Sequence, residues 1–79
     1  MTRLHEKRVE SGLNMGQLAD MAQVSRPFMF DLDKGNRGAR LDTWERIAAI
    51  LKCKATDIIE DEQMERFVAN GEIVLDPEV

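Results

Sequence analysis

The stretch from Asn14 to Gly35, NMGQLADMAQVSRPFMFDLDKG, restricts the fold more than any other part of this 79-residue chain. It holds two short helical patterns with almost nothing between them. Asn14 is a good N-cap, and Leu18, Met21 and Ala22 follow at helical spacing. Ala19 is small, as a close approach of two helices requires. Gln23-Val24 reads as the turn, with Val24 as a buried plug. Ser25 caps the second pattern, and Pro27 falls in its first turn, where a missing N–H costs nothing. Met29 and Leu32 form its inner side and Gly35 ends it.

Two helices joined through so tight a turn have the physical form of a helix-turn-helix, whose second helix can enter a DNA major groove. The flanks supply further helices. Thr2 caps a first helix that ends near Ser11-Gly12, with a thin apolar face of Leu4, His5 and Val9. Residues 34–40, KGNRGAR, form a glycine-rich basic loop. Leu41, Trp44, Ile47, Ala48 and Leu51 make the fourth helix amphipathic. A fifth is expected from Thr56-Asp57, carrying Ile58, Ile59, Met64, Phe67 and Val68, and stopping at Asn70-Gly71. The expected architecture is all-α: a compact five-helix bundle with room for a short C-terminal strand at Ile73, Val74 and Leu75. Residues 1–69 form the binding domain, with 14–35 as its helix-turn-helix, and residues 70–79 an acidic tail or dimerisation strand.

Charge divides the chain where this architecture does. Residues 1–54 carry ten Lys and Arg against seven Asp and Glu, for +3, and residues 55–79 carry one against eight, for −7. The overall −4 therefore averages a basic body and an acidic appendage. The appendage can equally serve as a solvating tail. So short a chain buries only about 60% of its unfolded surface, and dimerisation would help it. One cysteine, Cys53, excludes an internal disulfide framework and fits a reducing cytoplasmic setting. No signal-peptide or membrane-length apolar run is present, so no membrane role is expected.

The joint pattern Gly12-Leu13, Leu18-Ala19, Val24-Ser25-Arg26, Leu32, Asp33, Gly35, Arg37, Leu41-Asp42-Thr43 and Ile47-Ala48 resembles the lambda-repressor/Cro-like helix-turn-helix family, often called XRE-like. The likeness covers roughly residues 4–59. It implies a DNA-binding, typically dimeric protein of the kind used as phage repressors, restriction-modification controllers and antitoxins. It also implies dimerisation through the fifth helix or a C-terminal strand. Some positions depart from the family pattern. Met15 and Gly16 stand where glutamine and glutamate are usual, Lys7 replaces an apolar residue of the first helix, and Pro27, Phe28 and Phe30 replace small polar residues.

Candidate contacts follow from position and chemistry. Arg26 opens the recognition helix, where it can bond guanine O6 and N7 or simply a phosphate. Pro27, Phe30 and Asp31 share its outer side. Phe30 can meet thymine methyls, another protein or the fold itself, and Phe28 lies nearer the core edge. Asp31 can accept from cytosine N4, repel non-cognate sequence, or stand as plain surface. Lys34, Asn36, Arg37 and Arg40 surround the loop glycines and suit phosphate clamping, against the bland reading of a solvated loop. Gln17 joins the expected phosphate contacts. Asp33 reads as structural, pairing with an arginine. Trp44 and the methionines Met15, Met21 and Met29 read as core. His5 has no second ligand at metal spacing, and Glu60-Asp61-Glu62 reads as a solvated face. There is no nucleophile–base pair, P-loop or Cys/His cluster, so no enzymatic activity, metal or cofactor is expected.

The expectation is a sequence-specific homodimeric transcriptional regulator, most simply a repressor of a phage or mobile element acting on an inverted-repeat operator. Ile73, Val74 and Leu75 are its candidate dimer contacts. An antitoxin or restriction controller with the same binding mode stands beside it, as does a protein-interaction module using Phe28 and Phe30.

Overall fold

The first three helices start where side chains replace missing backbone bonds. In the computed structural model, which describes residues 2–73, five α-helices follow one another: α1 (Arg3–Glu10), α2 (Met15–Ala22), α3 (Arg26–Lys34), α4 (Leu41–Ile50) and α5 (Asp61–Ala69). Thr2 Oγ1 accepts from the His5 N–H, and Ser25 Oγ from that of Phe28. Asn14 and Gln17 cap each other reciprocally, each side-chain oxygen accepting the other's backbone N–H at 2.8 and 3.0 Å. Gly35 ends α3 at φ 82°, a left-handed conformation that glycine adopts without strain. Gln23 takes the same conformation at φ 60° to turn the chain between α2 and α3.

One core holds the helices: Leu4 from α1, Leu18, Ala19 and Ala22 from α2, Met29 and Leu32 from α3, Trp44, Ile47 and Ala48 from α4, and Phe67 from α5. Val24 is half-buried against it, and its N–H bonds back to the Ala19 carbonyl at 3.0 Å. The molecule measures 38 × 22 × 21 Å. The all-α bundle is as expected, and there is no strand among the described residues.

Three local expectations are corrected. Met21 is 54% exposed, because the buried line of α2 runs through Met15, Leu18, Ala19 and Ala22 and residue 21 sits about 110° from its centre. Val9 is 57% exposed, and α1 turns Leu4 and Arg8 inward instead. The fifth helix begins at Asp61, not at Thr56-Asp57. Residues Ala55–Asp57 form a single 3₁₀ turn, with the Lys54 N–H bonded to Asp57 Oδ2 at 3.0 Å. Ile58 and Ile59, which follow this turn, are both fully buried.

The apolar face of α1 is thin, and polar groups anchor it. Asp33 at the end of α3 is 3% exposed and accepts from Arg8 Nε at 2.9 Å, with His5 Nδ1 at 2.8 Å from its other oxygen. Arg8 Nη1 also donates to the Leu13 carbonyl at 2.9 Å, and Thr2 Oγ1 to the Asp33 carbonyl at 2.6 Å. Burial alone would raise the Asp33 pKa. The hydrogen bonds and charges of Arg8 and His5 outweigh it and leave the carboxyl below its usual range. At the opposite edge the Arg3 N–H donates to Glu60 Oε1 at 2.6 Å. The Arg3 guanidinium donates to the Ile59 carbonyl and pairs with Asp61 Oδ1, both at 2.9 Å. These bonds tie α1 to α3 and to the start of α5.

Ile73 is half-buried against the core, its N–H 3.4 Å from the Phe67 carbonyl. Val74 and Leu75, the remaining candidates for a dimer strand, lie outside the described residues.

Candidate nucleic-acid interface

Helix α3 presents Arg26, Phe30 and Lys34 at i, i+4 and i+8, so the three form one exposed stripe along it. The Ser25 cap and Pro27 set the start of this stripe, and Gly35 sets its end. Pro27 is exposed beside Arg26, and Asp31 is half-buried one step round the helix from Phe30. The aromatic residues have partners on this surface. Lys34 Nζ lies 4.3 Å from the centre of the Phe30 ring, which remains 43% exposed. The Arg37 guanidinium lies 4.1 Å from the centre of the Phe28 ring. A cation over a ring face is attracted by the ring quadrupole, so each aromatic holds a positive charge at the surface. Phe28 thus packs its inner edge on the core and its outer face under Arg37.

The loop between α3 and α4 is braced from α5. Gln63 Nε2 donates to the Arg37 carbonyl at 3.4 Å, and Gly38 lies so close that a Cβ there would fall 2.8 Å from Gln63 Oε1. Arg37 Nε reaches the Gly38 carbonyl at 3.3 Å. Arg40 occupies the N-cap of α4 without capping it through its side chain, which instead lies 3.6 Å from Asp42 Oδ1. Arg37 and Arg40 line one open groove together with Phe28, Thr43 and Arg66. Asn36 is exposed on the same loop. The groove therefore holds three arginines beside the start of α4, with Asp42, Glu45 and Glu72 on the same lining, so its charges are mixed. Arg37 is the arginine on the loop without an acidic partner among the described residues.

On the other flank, Gln17 spends its side-chain oxygen on the Asn14 N–H and keeps its amide donors free at the surface. Arg26 Nη2 lies 3.2 Å from Asp20 Oδ2, across the turn between α2 and α3. The structure therefore places Arg37 and Arg40 on one groove, and sets Arg26 and Gln17 on the α2 side of α3.

Sequence reasoning did not find Asp20, Gln63 or Arg66 as parts of this surface. The Arg66 carbon backbone belongs to the acidic half of the chain, and only folding returns its cation to the basic loop. Asp20 and Arg26 are six residues apart across a turn, a spacing that carries no periodic signal. No helix among the described residues is long and apolar enough to cross a membrane.

The sequence profile of the Cro/C1-type HTH DNA-binding domain matches residues 3–64, which span all five helices up to the middle of α5. The HTH-type transcriptional regulator DdrOP3 of Deinococcus deserti is 34% identical over 58 residues, covering 73% of this chain. The chain spans about 45% of that relative's length. Fold, capped helix-turn-helix and sequence profile agree: the chain belongs to the Cro/C1-type helix-turn-helix family of DNA-binding domains.

Proposed function

We propose that this chain is a sequence-specific transcriptional regulator that binds an inverted-repeat operator as a homodimer and represses by occupying a promoter. The observation that carries the reading is the surface of α3. It has a cation at its first residue, a second at its last, and the exposed cations Arg37 and Arg40 on the loop that follows. Phosphate contacts from Arg37, Arg40, Lys34, Asn36 and Gln17 would set register and supply most of the affinity. Arg26 would read a guanine, with Pro27, Phe30 and Asp31 on the flanking base pairs. A two-fold dimer would place two α3 helices in successive major grooves about 34 Å apart. The dimer contacts would come from Ile73, Val74 and Leu75.

A phage or mobile-element setting suits a domain of this size and family. Antitoxin and restriction-control roles would use the same DNA-binding mode. A protein-docking role for Phe28 and Phe30 is less well supported, because Arg37 and Lys34 already cover faces of those rings.

Selection of bound fragments from a random DNA pool tests the proposal. The expected product is a pair of inverted half-sites spaced by about one helical turn. A pool that shows no enriched sequence would overturn it, and a single enriched half-site would overturn the dimer.

A further inference from the structure

Arg26 is held in a seat built by α2. Its Nη2 lies 3.2 Å from Asp20 Oδ2. One turn earlier on the same side of α2 stands Gly16, where an added Cβ would lie 3.2 Å from Arg26 Cζ and 3.4 Å from Nε. The guanidinium therefore lies along the ridge from Gly16 to Asp20, close against the backbone at one end and bonded to a carboxylate at the other. Guanidinium has five N–H donors, so one bond to Asp20 leaves an edge free for guanine O6 and N7.

Both side chains are largely exposed, and an exposed ion pair adds little to folding stability. An aspartate on this face also opposes phosphate, so by charge alone it weakens DNA attachment. We propose that Asp20 is a positioning residue for Arg26. The inference rests on the DNA-binding reading above. Asp20 fixes the rotamer of the reading arginine before DNA arrives, so less freedom is lost when the base contact forms. It gives up some non-specific affinity for discrimination at one base pair.

The experiment uses duplexes that carry the selected half-site with each base in turn at every position, at fixed salt. It compares wild type, Asp20→Ala, Asp20→Glu, Arg26→Ala and the Asp20→Ala/Arg26→Ala pair. Arg26→Ala should relax preference at one base pair. Asp20→Ala should lower preference at that same base pair by about two- to five-fold while binding to random DNA holds or strengthens. Asp20→Glu should restore part of the preference, and Asp20→Ala should change nothing further in the Arg26→Ala background. Urea midpoints should stay within error, since neither side chain is in the core.

Unchanged preference in Asp20→Ala, with Arg26→Ala relaxed as expected, overturns the positioning role alone. So does an equal effect of Asp20→Ala in both backgrounds. Full preference retained by Arg26→Ala overturns the base-reading assignment, and the positioning role with it.

Discussion

Replacing Asp33 by alanine should bring this domain close to unfolding. The carboxylate is buried and accepts from Arg8 Nε at 2.9 Å, with His5 Nδ1 at 2.8 Å. Alanine would leave the buried Arg8 guanidinium without a carboxylate, with only the neutral Leu13 carbonyl and His5 Nδ1 within reach. Removing one partner of a buried ion pair costs about 3–5 kcal/mol. A 79-residue domain has about 4–12 kcal/mol in all. The loss is therefore a large share of the total, and the melting temperature should fall by at least about 12 °C. Urea titration followed by the fluorescence of Trp44, the one tryptophan and a buried one, gives the difference directly.

The effect has a defined pH dependence. The Asp33 pKa is depressed on folding, so its contribution is fully present above the ordinary carboxylate value of about 4. It disappears as pH falls through the lower folded-state value. Wild type and Asp33→Ala should therefore differ fully at neutral pH and converge in acid. The double variant Arg8→Met/Asp33→Leu removes both charges and should recover most of the loss, because an apolar pair needs no desolvation. A loss below about 1 kcal/mol in Asp33→Ala, or an equal loss at all pH values, would rule out this role for the Asp33–Arg8 pair.

Other substitutions test single elements. Phe28→Leu keeps an apolar contact but removes the ring under Arg37, so DNA affinity should fall by about two- to five-fold, with no further loss when Arg37 is already alanine. Gly35→Ala forces a side chain to φ 82° with its Cβ 3.0 Å from Thr2 Cγ2, and should cost about 1 kcal/mol or more by urea midpoint. Asn14→Ala removes the reciprocal cap of α2 and should cost about 1 kcal/mol by the same measurement.

The helix-turn-helix was legible because its signals are local. Asn14, Ser25, Pro27 and Gly35 act within a few residues of themselves, and α4 shows its apolar stripe in sequence order. The anchoring of α1 was not legible. Its main bonds join Arg8 and His5 to a residue 25 and 28 positions away, and polar pairs at that range leave no period to read. Periodicity instead favoured Val9, which faces solvent. The start of α5 differs from the expected one because Ile58 and Ile59 fit a helical stripe, while the chain there forms only the Ala55–Asp57 turn before α5 opens at Asp61. On the α3 surface the sequence places Arg26, Phe30 and Lys34 on one helix, but not the groups that hold them. The seats of Arg26 on Asp20 and Arg37 on Phe28 depend on how helices and loop meet, not on spacing.

In the proposed complex the cations beside α3 bind the DNA backbone. The salt dependence of binding to a selected duplex, for wild type and Arg37→Ala, tests it most directly. A steep linear fall of log affinity with log salt, its slope reduced by about one in Arg37→Ala, is the predicted result. A flat slope, or one that Arg37→Ala leaves unchanged, would contradict it.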